Sequence, residues 1–167
     1  KFVIPSSRVV LAQLEVPLET IAMAFTQGRS NGAVTVLNPA PARDIPETLL
    51  SLANIVVPNE TESVAIGGTK NLLKLGAATV ITTLGADGAS IDTAMSTTHI
   101  APHKVIPIDT VGAGDAFIGA TCAELSRGAS IEDAARMGAI AGALATTVKG
   151  AVPSLPTRQA VLAAQKS

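Results

Sequence analysis

Short apolar runs separated by helix-forming segments repeat through the first half of the chain, and this alternation constrains the fold more than any other feature. Residues 9–14 form an apolar run ending in Gln13-Leu14-Glu15, as expected of a buried strand. Pro17 then stands at the first-turn position that helices favour. Ile21, Ala24 and Phe25 give this helix an apolar face, and Gly28 to Gly32 closes it. The second run, residues 34–37, is broken by Asn38-Pro39-Ala40-Pro41, and a short helix over 46–52 follows. Residues 55–57 read as a third strand halted by Pro58. A helix begins after Asn59, and residues 71–75 are again helical. Residues 79–83 are a fourth strand, and Gly85-Ala86-Asp87-Gly88 turns tightly into residues 89–92 as a hairpin. Such alternation implies right-handed crossovers and a mostly parallel sheet covered on both faces. Ligands of these sheets sit beyond the carboxyl ends of the strands. Glu15, Asn38, Asn59, the 83–88 turn and Asp109 all fall there.

The second half reads differently. Residues 100–108 are extended and carry Pro102 and Pro107. A Gly-rich turn leads into a helix over about 114–127. An Ala-rich helix over 131–147 follows, in which Gly138, Ala141, Gly142 and Ala145 permit close packing. A terminal helix covers 157–165. No internal repeat or low-complexity tract interrupts the pattern.

Composition narrows the partners. The 167 residues suit one domain, and 47% hydrophobic against 15% charged residues is enough to build a core. Twelve Lys and Arg against thirteen Asp and Glu give a net charge of −1, so neither nucleic acid nor an anionic membrane is indicated. Three Phe and no Trp or Tyr exclude aromatic stacking as the main recognition device. The single Cys122 excludes an internal disulfide framework and reads as buried packing. No stretch reaches the ~20 apolar residues of a membrane span. The opening Lys1-Phe2-Val3-Ile4-Pro5-Ser6 lacks the pattern of a signal peptide, and Gln165-Lys166-Ser167 is no address tag, so a cytoplasmic setting is expected.

The most informative segment is Asp109-Thr110-Val111-Gly112-Ala113-Gly114-Asp115-Ala116-Phe117. Two glycines flank an alanine just ahead of a long helix. Small residues let backbone N–H groups approach an anion, and the helix N-terminus adds its positive dipole end. Asp115, in the first turn, is placed to take a proton from an attacking hydroxyl. The local alternative is a first-turn carboxylate beside an ordinary glycine turn. Asn59 and Glu62 likewise have the spacing of a capping box. Glu15 alone reads as a solvated strand end. His99 and His103, four apart in an extended stretch, lack partner ligands and read as surface or loop residues. Gly-x4-Gly-Lys-Ser/Thr and Gly-x-Ser-x-Gly are both absent, and Gly112-Ala113-Gly114 comes late and lacks a third glycine. These points disfavour a P-loop kinase, a serine hydrolase and a dinucleotide oxidoreductase.

The segment around Asp115 closely resembles the second signature of the PfkB carbohydrate kinases, the ribokinase family. Five further segments match in family order: Gln13 to Glu19, Leu37 to Arg43, Val57 to Glu62, Thr83 to Gly88 and Lys149 to Ser154. The resemblance implies a three-layer α/β/α, Rossmann-like fold with a mostly parallel central sheet. Residues 1–167 would then be the C-terminal portion of such a kinase domain. It further implies ATP-dependent phosphorylation of a sugar hydroxyl, D-ribose at O5 giving ribose 5-phosphate. The alternatives are another sugar or nucleoside acceptor, or a catalytically incomplete nucleotide-binding fragment. By the same resemblance Asp115 is the base and also contacts the sugar, and the amides of Gly112, Ala113, Gly114 and Asp115 form the anion hole. Glu15 contacts the sugar. Asn59, Thr83, Leu84, Gly85, Ala86, Asp87, Gly88, Gly114 and Ala139 line ATP. Glu62 reaches Mg²⁺ through water, and Asp109, Val111, Ala145, Val148, Gly150 and Ser154 hold an activating K⁺.

The chain departs from the family pattern in three places. The N-terminal portion, with most sugar contacts and the β-sheet lid that forms the family's homodimer, has no match here. Only nine residues separate Glu62 from Leu72, where the family has a helix, a loop and a second helix, so an internal omission is expected. Ala139 stands where Asn or His is usual.

Overall fold

The structure is a computed structural model and describes residues 6–166. The opening stretch read above for a signal peptide lies outside the described residues except for Ser6. The strands are hydrogen-bonded neighbours in chain order. The residues group into two compact units. One runs to Thr83 and includes Ser90–Thr97, and the other holds Leu84–Ala89 and everything from Thr98 onward.

In the first unit, β1 (Val9–Gln13), β2 (Val34–Asn38), β3 (Ile55–Val56) and β4 (Thr79–Thr83) pair in parallel, with Val9 opposite Val34, Val36 opposite Ile55 and Ile55 opposite Thr79. Parallel neighbours need crossovers. These are α1 (Leu18–Ser30), α2 (Glu47–Leu50), and the pair α3 (Glu60–Ala65) and α4 (Thr69–Lys74). Val10, Leu37, Val56 and Val80 join Ile21 and Phe25 of α1, Leu49 and Leu50 of α2 and Leu72 of α4 in one buried cluster. The alternate strand residues Val36, Ile55 and Ile81 are buried as well. Burial of both faces of β2, β3 and β4 explains why these strands read as unbroken apolar runs, while β1 buries Val10 and leaves Leu11 exposed. Gly28 lets α1 lie close on β1, since a Cβ there would come within 2.7 Å of Val10 Cγ2.

The stretch between Glu62 and Leu72 folds without a full helix–loop–helix. Gly67 and Gly68 take φ of 94° and 85°, and Gly68 N–H closes α3 on the Ser63 carbonyl at 2.7 Å. These left-handed conformations suit glycine and split the segment into two short helices.

β5 (Ala89–Asp92) follows β4 after a single 3₁₀ turn over Gly85–Asp87 and neighbours β4 in the sheet. The stretch read as extended over 100–108 contains no helix. A strand, β6 (Thr97–Ile100), precedes it, and residues 101–107 lie outside any strand or helix. Prolines 102 and 107 have no N–H for a ladder.

In the second unit, α5 (Ala113–Ser126) and α6 (Ile131–Ala145) pack through glycine. A Cβ on Gly138 would strike Thr121 Oγ1 and sit 2.8 Å from the Phe117 carbonyl oxygen, and one on Gly142 would sit 3.1 Å from that of Ala113. A one-turn helix absent from the sequence reading, α7 (Ala151–Ser154), comes before α8 (Arg158–Ala164). Pro153 is tolerated in α7 because first-turn N–H groups have no intrahelical acceptor. Met137, Ile140 and Ala141 of α6 pack on Val161 of α8. Arg158 also donates from Nε and one terminal nitrogen to the two oxygens of buried Glu124, at 2.7 and 3.2 Å. That pairing holds the Glu124 carboxyl below its usual range.

The two glycines of α5 and α6 that differ in surroundings should respond oppositely to alanine. Gly138→Ala should destabilise by about 1–3 kcal/mol through overpacking. Gly119→Ala, where a Cβ meets nothing within 4 Å, should stabilise by up to about 1 kcal/mol from helix propensity. Urea unfolding midpoints of the two variants check this.

Candidate active site

The turn ahead of α5 is fixed by its own backbone before any ligand is considered. Gly112 is the N-cap residue, at φ 82° and ψ −2°. A side chain there would be strained and would also sit 3.1 Å from Ala151 Cα, so the position requires glycine twice over. The Thr146 carbonyl accepts from Ile108 N–H at 2.7 Å and Asp109 N–H at 3.0 Å. Asp109 Oδ1 accepts from Val111 N–H at 3.1 Å, and Oδ2 accepts from Gly150 N–H at 2.9 Å. The Gly150 bond first and the Val111 bond second hold the Asp109 carboxyl below its ordinary value against a small opposing effect of burial. One carboxylate therefore ties residues 109–111 to the segment after α6.

Gly114 and Asp115 lie exposed in the first turn of α5. Gly112 has no side chain to cover the first-turn amides, and the helix dipole adds partial positive charge there. Ala113 N–H donates to the Thr110 carbonyl at 3.2 Å, so this amide, read as part of an anion hole, is already used in the turn. Asp115 opens on a cavity of about 360 Å³ that runs along α5 past Gly119, Ala120 and Ala123 to Leu155 and Arg158.

The six residues read as a cation site fall in two segments that these bonds hold together. Asp109, Val111 and Gly150 are linked directly. The Ala145 carbonyl accepts from Val148 N–H at 3.3 Å, and the Gly150 carbonyl from Ser154 N–H at 3.2 Å. Ser154 is buried and donates its hydroxyl to the Ala151 carbonyl at 2.8 Å. One ionised carboxylate, main-chain carbonyls and a hydroxyl form a hard oxygen donor set suited to a monovalent cation. Among the described residues, no three His, Cys, Asp or Glu side chains cluster in a metal-holding arrangement.

In the same unit, residues 84–88 form a closed turn. Leu84 N–H donates to the Gly88 carbonyl at 2.8 Å and Asp87 N–H to that of Leu84 at 3.0 Å. Gly88, at φ 88°, lies against the Ile100 carbonyl, while Gly85, Ala86 and Asp87 are exposed. Ala139 is half-buried on α6, and its methyl has no polar atom to offer an adenine ring.

The first unit gathers the other candidates at its strand ends. Asn59, after β3, accepts from Glu62 N–H at 2.8 Å, and its own N–H donates to Glu62 Oε2 at 2.9 Å. The capping box read from the spacing is thus formed, and Glu62 Oε1 takes no part in it. Thr83 N–H donates to the Pro58 carbonyl at 3.0 Å, setting the end of β4 beside Asn59. Glu15 is exposed two residues beyond β1. Its neighbours are held on both sides, with Leu14 N–H donating to the Ala40 carbonyl and Arg43 to that of Val16, both at 2.9 Å.

Two features escaped the sequence reading. Gln13 Nε2 donates to Asn38 Oδ1 at 2.8 Å, and Asn38 Nδ2 donates to the Val57 carbonyl at 2.9 Å. The alternation of strands flagged Asn38 as a strand end but not its partners. The Glu124–Arg158 pair spans 34 residues and has no local signal. Cys122 is buried, and burial pushes its thiol up to about 11.

A model of the pfkB family carbohydrate kinases matches residues 1–158, so the chain belongs to that family. It is 41% identical over 165 residues to a ribokinase of Staphylococcus aureus, covering 91% of this chain and 54% of that protein. It is 32% identical over 163 residues to a deoxyribokinase of Salmonella typhi, covering 90% and 53%. The solved Arabidopsis thaliana ribokinase complexed with ribose and ATP superposes with a TM-score of 0.85 at 30% identity, covering 95% of this chain and 56% of that one. The fold is therefore the three-layer α/β arrangement of mostly parallel strands. The chain spans about half the length of the relatives it matches.

Asp109 has its carboxyl depressed by folding, so its contribution is present above the unfolded value near 3.8 and is lost as pH falls through the lower folded value. Asp109→Asn should lower the thermal midpoint at pH 7, and the gap from wild type should narrow as pH falls below the unfolded value near 3.8. Thermal melts of both proteins from pH 7 to pH 2 measure this.

Proposed function

We propose that this chain carries the phosphoryl-transfer half of an ATP-dependent sugar kinase, with the O5 hydroxyl of D-ribose as acceptor and ribose 5-phosphate as product. The carrying observation is the clamped, glycine-built turn that opens α5 with Asp115 exposed beside it. Family membership and the ribokinase relatives support the reading. Asp115 accepts the hydroxyl proton as the oxygen attacks the γ-phosphorus, and the bond to the β–γ bridging oxygen breaks to release ADP. The amides of Gly112, Gly114 and Asp115 receive the charge on the transferring group. Gly112 and Ala113 shape the turn that presents them. Glu15 accepts from a sugar hydroxyl.

The Leu84 to Gly88 turn, exposed at Gly85, Ala86 and Asp87, and Thr83 lie along the nucleotide, with Ala139 giving apolar contact only. Asn59 and Glu62 would hold Mg²⁺ through water, in keeping with that ion's retained waters. Asp109, with main-chain carbonyls of Val111, Ala145, Val148 and Gly150 and the Ser154 hydroxyl, would hold K⁺. Mg²⁺, when bound, neutralises phosphate charge, and K⁺ adds positive potential beside the turn.

Similarity to a deoxyribokinase favours a second reading, in which the acceptor is another sugar. The ratio of kcat/KM for ribose and 2-deoxyribose separates the two. Coverage of about half of each relative favours a third, a chain that binds nucleotide without turning over; ATP binding with no ribose-dependent ADP formation would select it.

Asp115→Asn should lower ribose-dependent ADP formation by about 10²- to 10⁴-fold while leaving ATP affinity within about threefold. Unchanged turnover would remove Asp115 as the base.

A further inference from the structure

We propose that Asn38 is a positioning residue that couples the acceptor-side and nucleotide-side ends of the sheet through its single buried amide. The inference rests on the reading above for what Glu15 and Asn59 do, but not for the coupling itself.

Asn38 is the last residue of β2 and is 5% exposed. Its side chain reaches across both neighbouring strands. Oδ1 accepts from Gln13 Nε2 at 2.8 Å, and Nδ2 donates to the Val57 carbonyl at 2.9 Å. Gln13 ends β1, two residues before Glu15. Val57 follows β3, two residues before Asn59. The Val57 carbonyl can only accept, which fixes the Asn38 amide one way round. Asn38 then presents an oxygen to Gln13, so Gln13 must present its NH₂. The polarity of the chain is set from β3 across to β1.

The main chain around Asn38 reinforces both arms. Val57 N–H donates to the Leu37 carbonyl at 2.8 Å, and Leu14 N–H reaches the Ala40 carbonyl just after Asn38. Leu37, Val56 and Val57 are almost wholly buried. In such surroundings a hydrogen bond is strong, and an unmatched polar atom is costly. Packing alone would be served by an apolar side chain. The amide adds a fixed lateral spacing at the edge from which Glu15 and Asn59 extend.

Asn38→Asp tests this with almost no change of shape, because it keeps the acceptor for Gln13 and loses the donor to Val57. Thr35→Val is the matched control. It removes a buried hydroxyl on the same strand, bonded to the Leu52 carbonyl at 2.6 Å, far from the carboxyl end. Amide hydrogen exchange on the full chain should show Asn38→Asp raising exchange at both Leu14 and Thr83 by about 3- to 10-fold over Thr35→Val at equal distance below each midpoint. A rise at one of the two sites alone, or equal rises in Thr35→Val, overturns the coupling. Titration with MgATP, and separately with D-ribose, should show both affinities falling about 3- to 10-fold in Asn38→Asp and neither in Thr35→Val. Wild-type protein that binds neither would refute the kinase reading, and the exchange result would still decide the role of Asn38.

Discussion

Asp109 accepts hydrogen bonds from two backbone amides, one two residues away and one 41 residues away, and the geometry of the α5 turn depends on that pairing. The carboxylate joins the entrance of α5 to the exit of α6. With residues 109–111 held this way, Gly112 must take a left-handed conformation to start the helix. Ala151 then lies too close for any side chain at that position. The glycine seam between α5 and α6 completes the constraint, since Gly138 and Gly142 set how near the two helices run. Every exposed feature at the head of α5 is positioned by contacts behind it.

The strand-end residues of the first unit show the same economy by different means. Parallel pairing puts all four carboxyl ends on one side, and short polar links trim them there. Asn59 and Glu62 close a capping box, Thr83 meets Pro58, and Asn38 joins its two neighbours. A capping box does not compete with a role toward water-bound Mg²⁺, because only one Glu62 oxygen lies in it.

Local features were legible in the sequence. The strands from Val34 to Thr83 announce themselves because both faces are buried, and α1 because Ile21, Ala24 and Phe25 share a stripe. The capping box is a three-residue spacing and needs no tertiary knowledge. What stayed hidden depends on distant chain. The partners of Asp109 are main-chain amides, which leave no mark in side-chain identity. Glu124 looks like any helical carboxylate until Arg158 folds back on it. β6 is short and mostly exposed on alternate residues, and α7 is one turn containing a proline, so neither carries a periodic signal. Residues 109–117 are legible as a glycine turn that opens a helix, but the use of the Ala113 amide within that turn leaves no mark in the sequence.

The central claim is that the turn opening α5 receives the phosphate end of ATP. Backbone ¹⁵N-NMR of the full chain, titrated with Mg²⁺ and a non-hydrolysable ATP analogue, tests it most directly. The account predicts saturable shifts at the Gly112 and Gly114 amides that are absent when adenosine replaces the analogue. Saturable shifts elsewhere, with those two glycine signals unmoved, would contradict it.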